Sequence, residues 1–187
     1  MEMRKLFADV VRYREEIGLL LQSLDANEVE QGLLVLKASF VSKDLKPFIL
    51  SQAGSVVRDY NIKFENGLIK VWVSLDAKQL GPVEVEYAIT VLELRFDDTG
   101  HKLYATFRET SNSIGNMVQK IAFKAALLNG PLIKTAVKMG NISFVYVDGN
   151  NLLIDFDQMD IAKKLPEKLN LNYISTKDAK LTLSFRL

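Results

Sequence analysis

The 187-residue chain contains no cysteine, which excludes disulfides, thiolate nucleophiles and thiolate metal sites. It has one histidine, His101. Histidine pairs, histidine-rich zinc sites and the H-E-x-x-H helix are therefore impossible. A Ser-His-Asp triad would have to use His101, yet no G-x-S-x-G elbow accompanies it. Beside a predicted turn, this histidine reads as a surface residue. No run of about 18 apolar residues occurs, so no helix is expected to span a membrane. Met1 to Lys5 lacks the apolar core and small-residue cleavage site of a secretory signal, and a cytoplasmic location, soluble or peripheral to a membrane, is expected.

Charge of one sign is also scarce. The balance of 24 basic and 23 acidic residues leaves a net charge of +1, so no global field draws in nucleic acid. Aromatic–basic neighbours are few: Trp72 near Lys70 and Tyr104 near Lys102, and Glu84 and Glu86 on the neighbouring predicted strand would repel phosphate. A nucleic-acid-reading sheet needs more such aromatic–basic pairs, and nucleic acid is not an expected partner. Phosphate loops are missing. Gly130-Pro131-Leu132-Ile133-Lys134-Thr135 ends like a P-loop but lacks the glycine before its lysine. The one tight acidic group is Asp155, Asp157 and Asp160. Without the glycine and closing glutamate of an EF-hand loop, it reads as strand-end and capping acids. No catalytic residue, metal or cofactor is expected, and the chain reads as a non-enzyme.

The most informative absence is local. Residues 110–147 hold no acidic side chain, and their only charges are Lys120, Lys124, Lys134 and Lys138. On one continuous helix these lysines fall within about 80° of each other. Ile114, Met117, Val118, Ile121, Ala125, Leu128 and Leu132 fill the other side. The pattern predicts a long basic amphipathic helix opening at Ser111, Asn112 or Ser113, with a kink or break at Asn129-Gly130-Pro131.

Elsewhere the hydrophobic period marks out the fold. Residues 2–24 carry an apolar heptad seam (Met3, Leu6, Val10, Tyr13, Ile17, Leu20, Leu24) that predicts a helix able to dock or to pair with a second copy. Residues 25–30 read as a polar joint, giving an N-terminal extension over 1–30 and one domain over 31–187. A short strand over 32–41 precedes a helix capped by Ser42, running through Leu45, Phe48, Ile49, Ala53, Val56, Val57 and Tyr60. Then the period becomes 2. Asn66-Gly67 predicts a hairpin joining 62–65 to 68–75. A long strand begins after Gly81-Pro82, and its alternation slips by one residue at Leu92, which predicts a β-bulge. Asp97-Asp98-Thr99-Gly100 turns into a strand over 102–109. Two strands flank Asp148-Gly149, a short helix lies near 159–164, and a final strand ends the chain.

The layout from the strand before Ser42, through "GLIKVWVSLDA", "VEVEYAITVLELRF" and the long helix, to "NISFVYVDGNNLLIDFD" and "AKLTLSFRL" resembles the small lipid-binding proteins of the tubular lipid-binding (TULIP-like) superfamily. The resemblance covers residues 32–187. It implies an antiparallel sheet wrapped around a long helix, with lipid in the groove between them. The expectation is an α+β fold that binds a lipid-like or apolar ligand along Ile114, Met117, Val118, Ile121, Ala125, Leu128 and Leu132. Lys120, Lys124, Lys134 and Lys138 would meet anionic head groups, at a membrane surface if the ligand lies there. The alternative is a self-associating adaptor, dimeric through Leu6, Val10, Tyr13, Ile17 and Leu20, with the basic helix contacting a protein partner.

Overall fold

The computed structural model of the chain describes residues 22–53, 56–77, 80–139, 142–159 and 169–186. The heptad seam, the short helix near 159–164 and Asp160 lie essentially outside them. Among the described residues the fold is α+β, with a nine-stranded, wholly antiparallel sheet.

The polar joint is in part a helical turn, α1 (Ala26–Glu30), because Asp25 caps it. One Asp25 carboxylate oxygen accepts the Asn27 N–H at 2.8 Å. Strand β1 (Leu33–Lys37) pairs with the C-terminal strand. Ser42 does not cap a helix. It lies inside a π-helical turn, Phe40–Asp44, where its hydroxyl donates to the Ala38 carbonyl at 2.8 Å. Helix α2 follows over Lys46–Ala53, with Pro47 in its first turn, where a missing N–H costs nothing. Val57 and Tyr60 belong not to that helix but to β2 (Val57–Glu65). Buried Tyr60 and Phe64 alternate with exposed Asn61 and Lys63, and the Tyr60 hydroxyl donates to Val41 O at 2.6 Å. Ladder pairing and that anchor override a helical spacing.

The Asn66-Gly67 hairpin joins β2 to β3 (Leu68–Ala77), with Gly67 at φ +75°. Strand β4 (Gly81–Asp97) is the backbone of the sheet. It pairs with β3 along its first half and with β5 (Gly100–Ser113) along its whole length. The register shifts between Val91 and Glu93, leaving Leu92 62% exposed. The phase slip in the sequence is thus a bulge, as expected. Beyond it, Phe96 pairs with Leu171 of β8 (Asn170–Lys177), which leads to β9 (Lys180–Arg186) and β1. On the other side, β5 carries β7 (Asn151–Asp155) and the edge strand β6 (Val145–Asp148).

The long helical segment is broken into two helices at the expected place. Helix α3 spans Met117–Leu127 and α4 spans Leu132–Met139, separated at Asn129-Gly130-Pro131. Neither runs through the sheet as a continuous axle. Phe123 of α3 and Leu132 of α4 instead pack against Val83 and Val85 of β4, which are essentially inaccessible to solvent. A second cluster joins Ala105, Phe107 and Leu152, with Ile133 packed on it. Among the described residues no helix is long and apolar enough to cross a membrane.

Candidate functional site

Strand β5 continues to Ser113, so Ile114 precedes the helix instead of lying on it. The true cap is Asn116. Its side-chain oxygen accepts the Gln119 N–H at 3.0 Å, while Gln119 Oε1 accepts the Asn116 N–H at 2.9 Å. Gly81 and Gly115 leave the space that the Gln119 amide occupies; a methyl group at either would overlap it.

Packing on β4 sets which face of α3 is buried. Phe123 is 5% exposed and Leu127 packs beside it. Met117, Val118, Ile121, Leu128 and the preceding Ile114 are 54–89% exposed, and Ala125 is exposed as well. These six were the expected groove lining, and they lie on the outer surface. Leu132, the seventh, is 6% exposed and is part of the core. The reason is physical. Almost every position of α3 except its two lysines and Gln119 is apolar, so periodicity alone does not choose a face. Phe123 is large enough to fill the space over Val83 and Val85, and it takes the inward position. The break at Gly130-Pro131 then resets the phase for α4. Lys120 and Lys124 are exposed on α3, and Lys134 and Lys138 on α4, one turn apart in each pair.

Helix α4 is held by a single carboxylate. Glu109 of β5 accepts the N–H of Leu132 at 2.8 Å and of Ile133 at 3.1 Å. The negative charge thus sits at the positive end of the helix dipole. Burial, the Glu109 charge and a hydrogen bond to it together push the neighbouring Tyr87 hydroxyl above the ordinary phenol range.

Beside α4 lies an open groove of about 660 Å³. Its walls are Val137 of α4, the β6–β7 hairpin from Val145 through Leu153, and Leu92, Tyr104 and Ala105 of the central strands. Leu152 and Leu153 are adjacent on β7 and point to opposite faces. The lining follows the margin of the sheet formed by β7 and the edge strand β6. Its charged lining residues are Lys134, Lys138 and Asp148. Two of the four lysines singled out by the sequence thus meet an apolar groove, with α4 and a hairpin as walls. The contribution of Leu92, Tyr104 and Val147 was not foreseen, although the bulge at Leu92 marked where the sheet would deform.

The remaining polar candidates form a separate cluster. His101 Nδ1 lies 2.6 Å from Asp157 Oδ1, and the His101 backbone N–H donates to Asp157 Oδ2 at 3.1 Å. These contacts hold the Asp157 carboxyl below its usual range. Phe96 packs against the imidazole in a tilted arrangement, 4.2 Å between ring centres. Asp155 caps the short turn over Phe156–Gln158, its Oδ1 accepting the Asp157 N–H at 3.2 Å. Asp155 is thus a strand-end acid, as read, whereas Asp157 lies in the turn beyond the strand, and the helix that Asp160 would cap lies outside the described residues. Among the described residues no group of three or more His, Asp or Glu is arranged to hold a metal ion. The self-association residues Leu6, Val10, Tyr13, Ile17 and Leu20 lie outside the described residues. Comparison of the chain with protein-family profiles, curated proteins and solved structures gives no match.

Proposed function

We propose that this protein binds one lipid-like, anionic amphiphile without transforming it chemically, its apolar chain in the groove beside α4 and its head group at Lys134 and Lys138. The observation that carries the reading is the pairing of a groove of about 660 Å³, walled largely by apolar side chains, with two exposed lysines one turn apart. Small-molecule sites have volumes of about 300–1,000 Å³ and combine apolar walls with a few polar groups that orient the ligand. Lysine suits an anionic head group as a mobile point charge with three donors. Asp148, at the hairpin turn, favours a singly charged head group over a more highly charged one. The layout resemblance to tubular lipid-binding proteins points to the same ligand class, but here the groove lies against a short helix and a sheet edge.

Native mass spectrometry of the purified protein, with organic extraction, is expected to recover a co-purifying fatty acid or phospholipid. Val147→Trp, which fills the groove from the half-exposed edge strand, should weaken binding of a fluorescent fatty acid by about tenfold or more. Lys134→Glu with Lys138→Glu should weaken the fatty acid and spare a neutral alcohol of the same chain length. Affinities that none of these changes alters would refute the reading.

A further inference from the structure

Helix α3 presents an unusual face. Met117, Val118, Ile121 and Leu128 are 65–89% exposed, and with Ala125 they occupy about 100° of the helix surface. Such residues on a core-packed helix are ordinarily turned inward. Here Phe123 and Leu127 already fill the inward side. Lys120 and Lys124 border the outward arc on one edge, both exposed.

The charge around this face is one-sided. Residues 110–147 contain no acid. On β4 beneath the helices, Val83 and Val85 point towards α3 and α4, so Glu84 and Glu86 point to the opposite face of the sheet. Glu109 is tied to the α4 amides, which offset its charge. An isologous second copy would offer Lys120 and Lys124 no acid from residues 110–147, and with the two helices antiparallel it would bring them towards the same lysines. The N-terminal heptad segment, with Arg4, Lys5, Arg12 and Arg14 against Glu2, Asp9, Glu15 and Glu16, has no net charge to offer. An anionic lipid surface matches both the apolar arc and the lysines.

We propose that α3 docks the protein on an anionic bilayer, laying Met117, Val118, Ile121 and Leu128 into the boundary between head groups and acyl chains while Lys120 and Lys124 meet lipid phosphates. A helix of 11 residues with this arc binds reversibly and in the membrane plane, and does not span it. The proposal does not rest on the groove beside α4, which uses different residues.

The test is flotation of the full-length protein with vesicles of phosphatidylcholine containing about one-third phosphatidylserine, against vesicles of phosphatidylcholine alone. Binding is expected only to the anionic vesicles, weakening as salt is raised. Ile121→Glu with Leu128→Glu should reduce the bound fraction by about tenfold or more. Lys120→Glu with Lys124→Glu should reduce it and flatten its salt dependence. Both variants should keep the wild-type melting temperature, because the altered side chains are solvent-exposed. Lys134→Glu with Lys138→Glu, made to test the groove, should lower fatty-acid affinity more than it lowers flotation, so the two proposals fail separately. The docking proposal is overturned if the protein stays with the lipid-free fraction, or if flotation is indifferent to the α3 variants. It is also overturned if Ile121→Glu with Leu128→Glu lowers the melting temperature, which would place the face under another part of the chain. A dimer that these substitutions split would overturn it in favour of a second copy.

Discussion

At the scale of single residues, the turn between β8 and β9 is the informative place. Asp178 and Ala179 have φ of +52° and +60°, the left-handed pair that a two-residue hairpin requires. Alanine is strained there, because its Cβ crowds the backbone. Neighbouring strands hold it: the Ala179 N–H donates to Phe64 O at 3.1 Å, and its carbonyl accepts the Ala38 N–H at 2.9 Å. Ala179→Gly is expected to stabilise the fold by about 1 kcal/mol, measured as a shift in urea midpoint at unchanged slope. The same residue explains why β8 was not foreseen. Glycine or asparagine normally announces such a turn, and neither is present. A register shift between Tyr173 and Ser175 also breaks the alternation of β8 itself. At Asn66-Gly67 the turn chemistry is explicit, and that hairpin was legible.

At the scale of elements, α4 depends on a side chain from another element. Its first turn offers N–H groups that no local residue caps, because Pro131 precedes Leu132 and has no side-chain acceptor. Glu109 reaches them from β5. Glu109→Gln keeps an acceptor but removes the charge, and is expected to cost about 1–2 kcal/mol. Amide exchange at Leu132 and Ile133 should quicken more than at Lys120, which lies in α3. Helix α3, by contrast, carries its own Asn116–Gln119 capping box and was the more predictable of the two. Its start was nonetheless misplaced by a few residues, because Ser111, Asn112 and Ser113 are all capping residue types, yet β5 holds them: Val85 pairs with Ser111 and Val83 with Ser113.

At the scale of the whole molecule, β4 joins two parts of the sheet that would otherwise be separate. Near its start it supports β3 and the helices; at its end Phe96 pairs with β8. Phe96 is buried there, 4.2 Å from the His101 ring and 6.0 Å from that of Phe156. Asp157, 56 residues from His101 in sequence, closes this junction. The hydrogen bonds from His101, side chain first and backbone second, lower the Asp157 pKa on folding. Its contribution is therefore present above the unfolded value of about 3.9 and is lost as pH falls through the lower folded value. Acid titrations of wild type and Asp157→Asn should differ above that window and converge below it. Because the pair is half-exposed, the gap should be small.

The alternation of residues 83–96, the turns at Asn66-Gly67 and Asp97 to Gly100, the slip at Leu92 and the break at Gly130-Pro131 were readable without coordinates. Each is a local conflict or agreement between side chain and backbone, settled within a few residues. The same holds for the absence of acid over 110–147, which marked the basic helices before any fold was known. Tertiary structure decided which side of α3 is buried, because a helix apolar on nearly all sides takes its orientation from the shape it must fill, here Phe123 over Val83 and Val85. It also decided that Glu109 caps α4, that Tyr60 belongs to a strand, and that Lys134 and Lys138 border a groove while Lys120 and Lys124 border an exposed face. Those outcomes depend on groups distant in sequence meeting at fixed separations, and no local period encodes them.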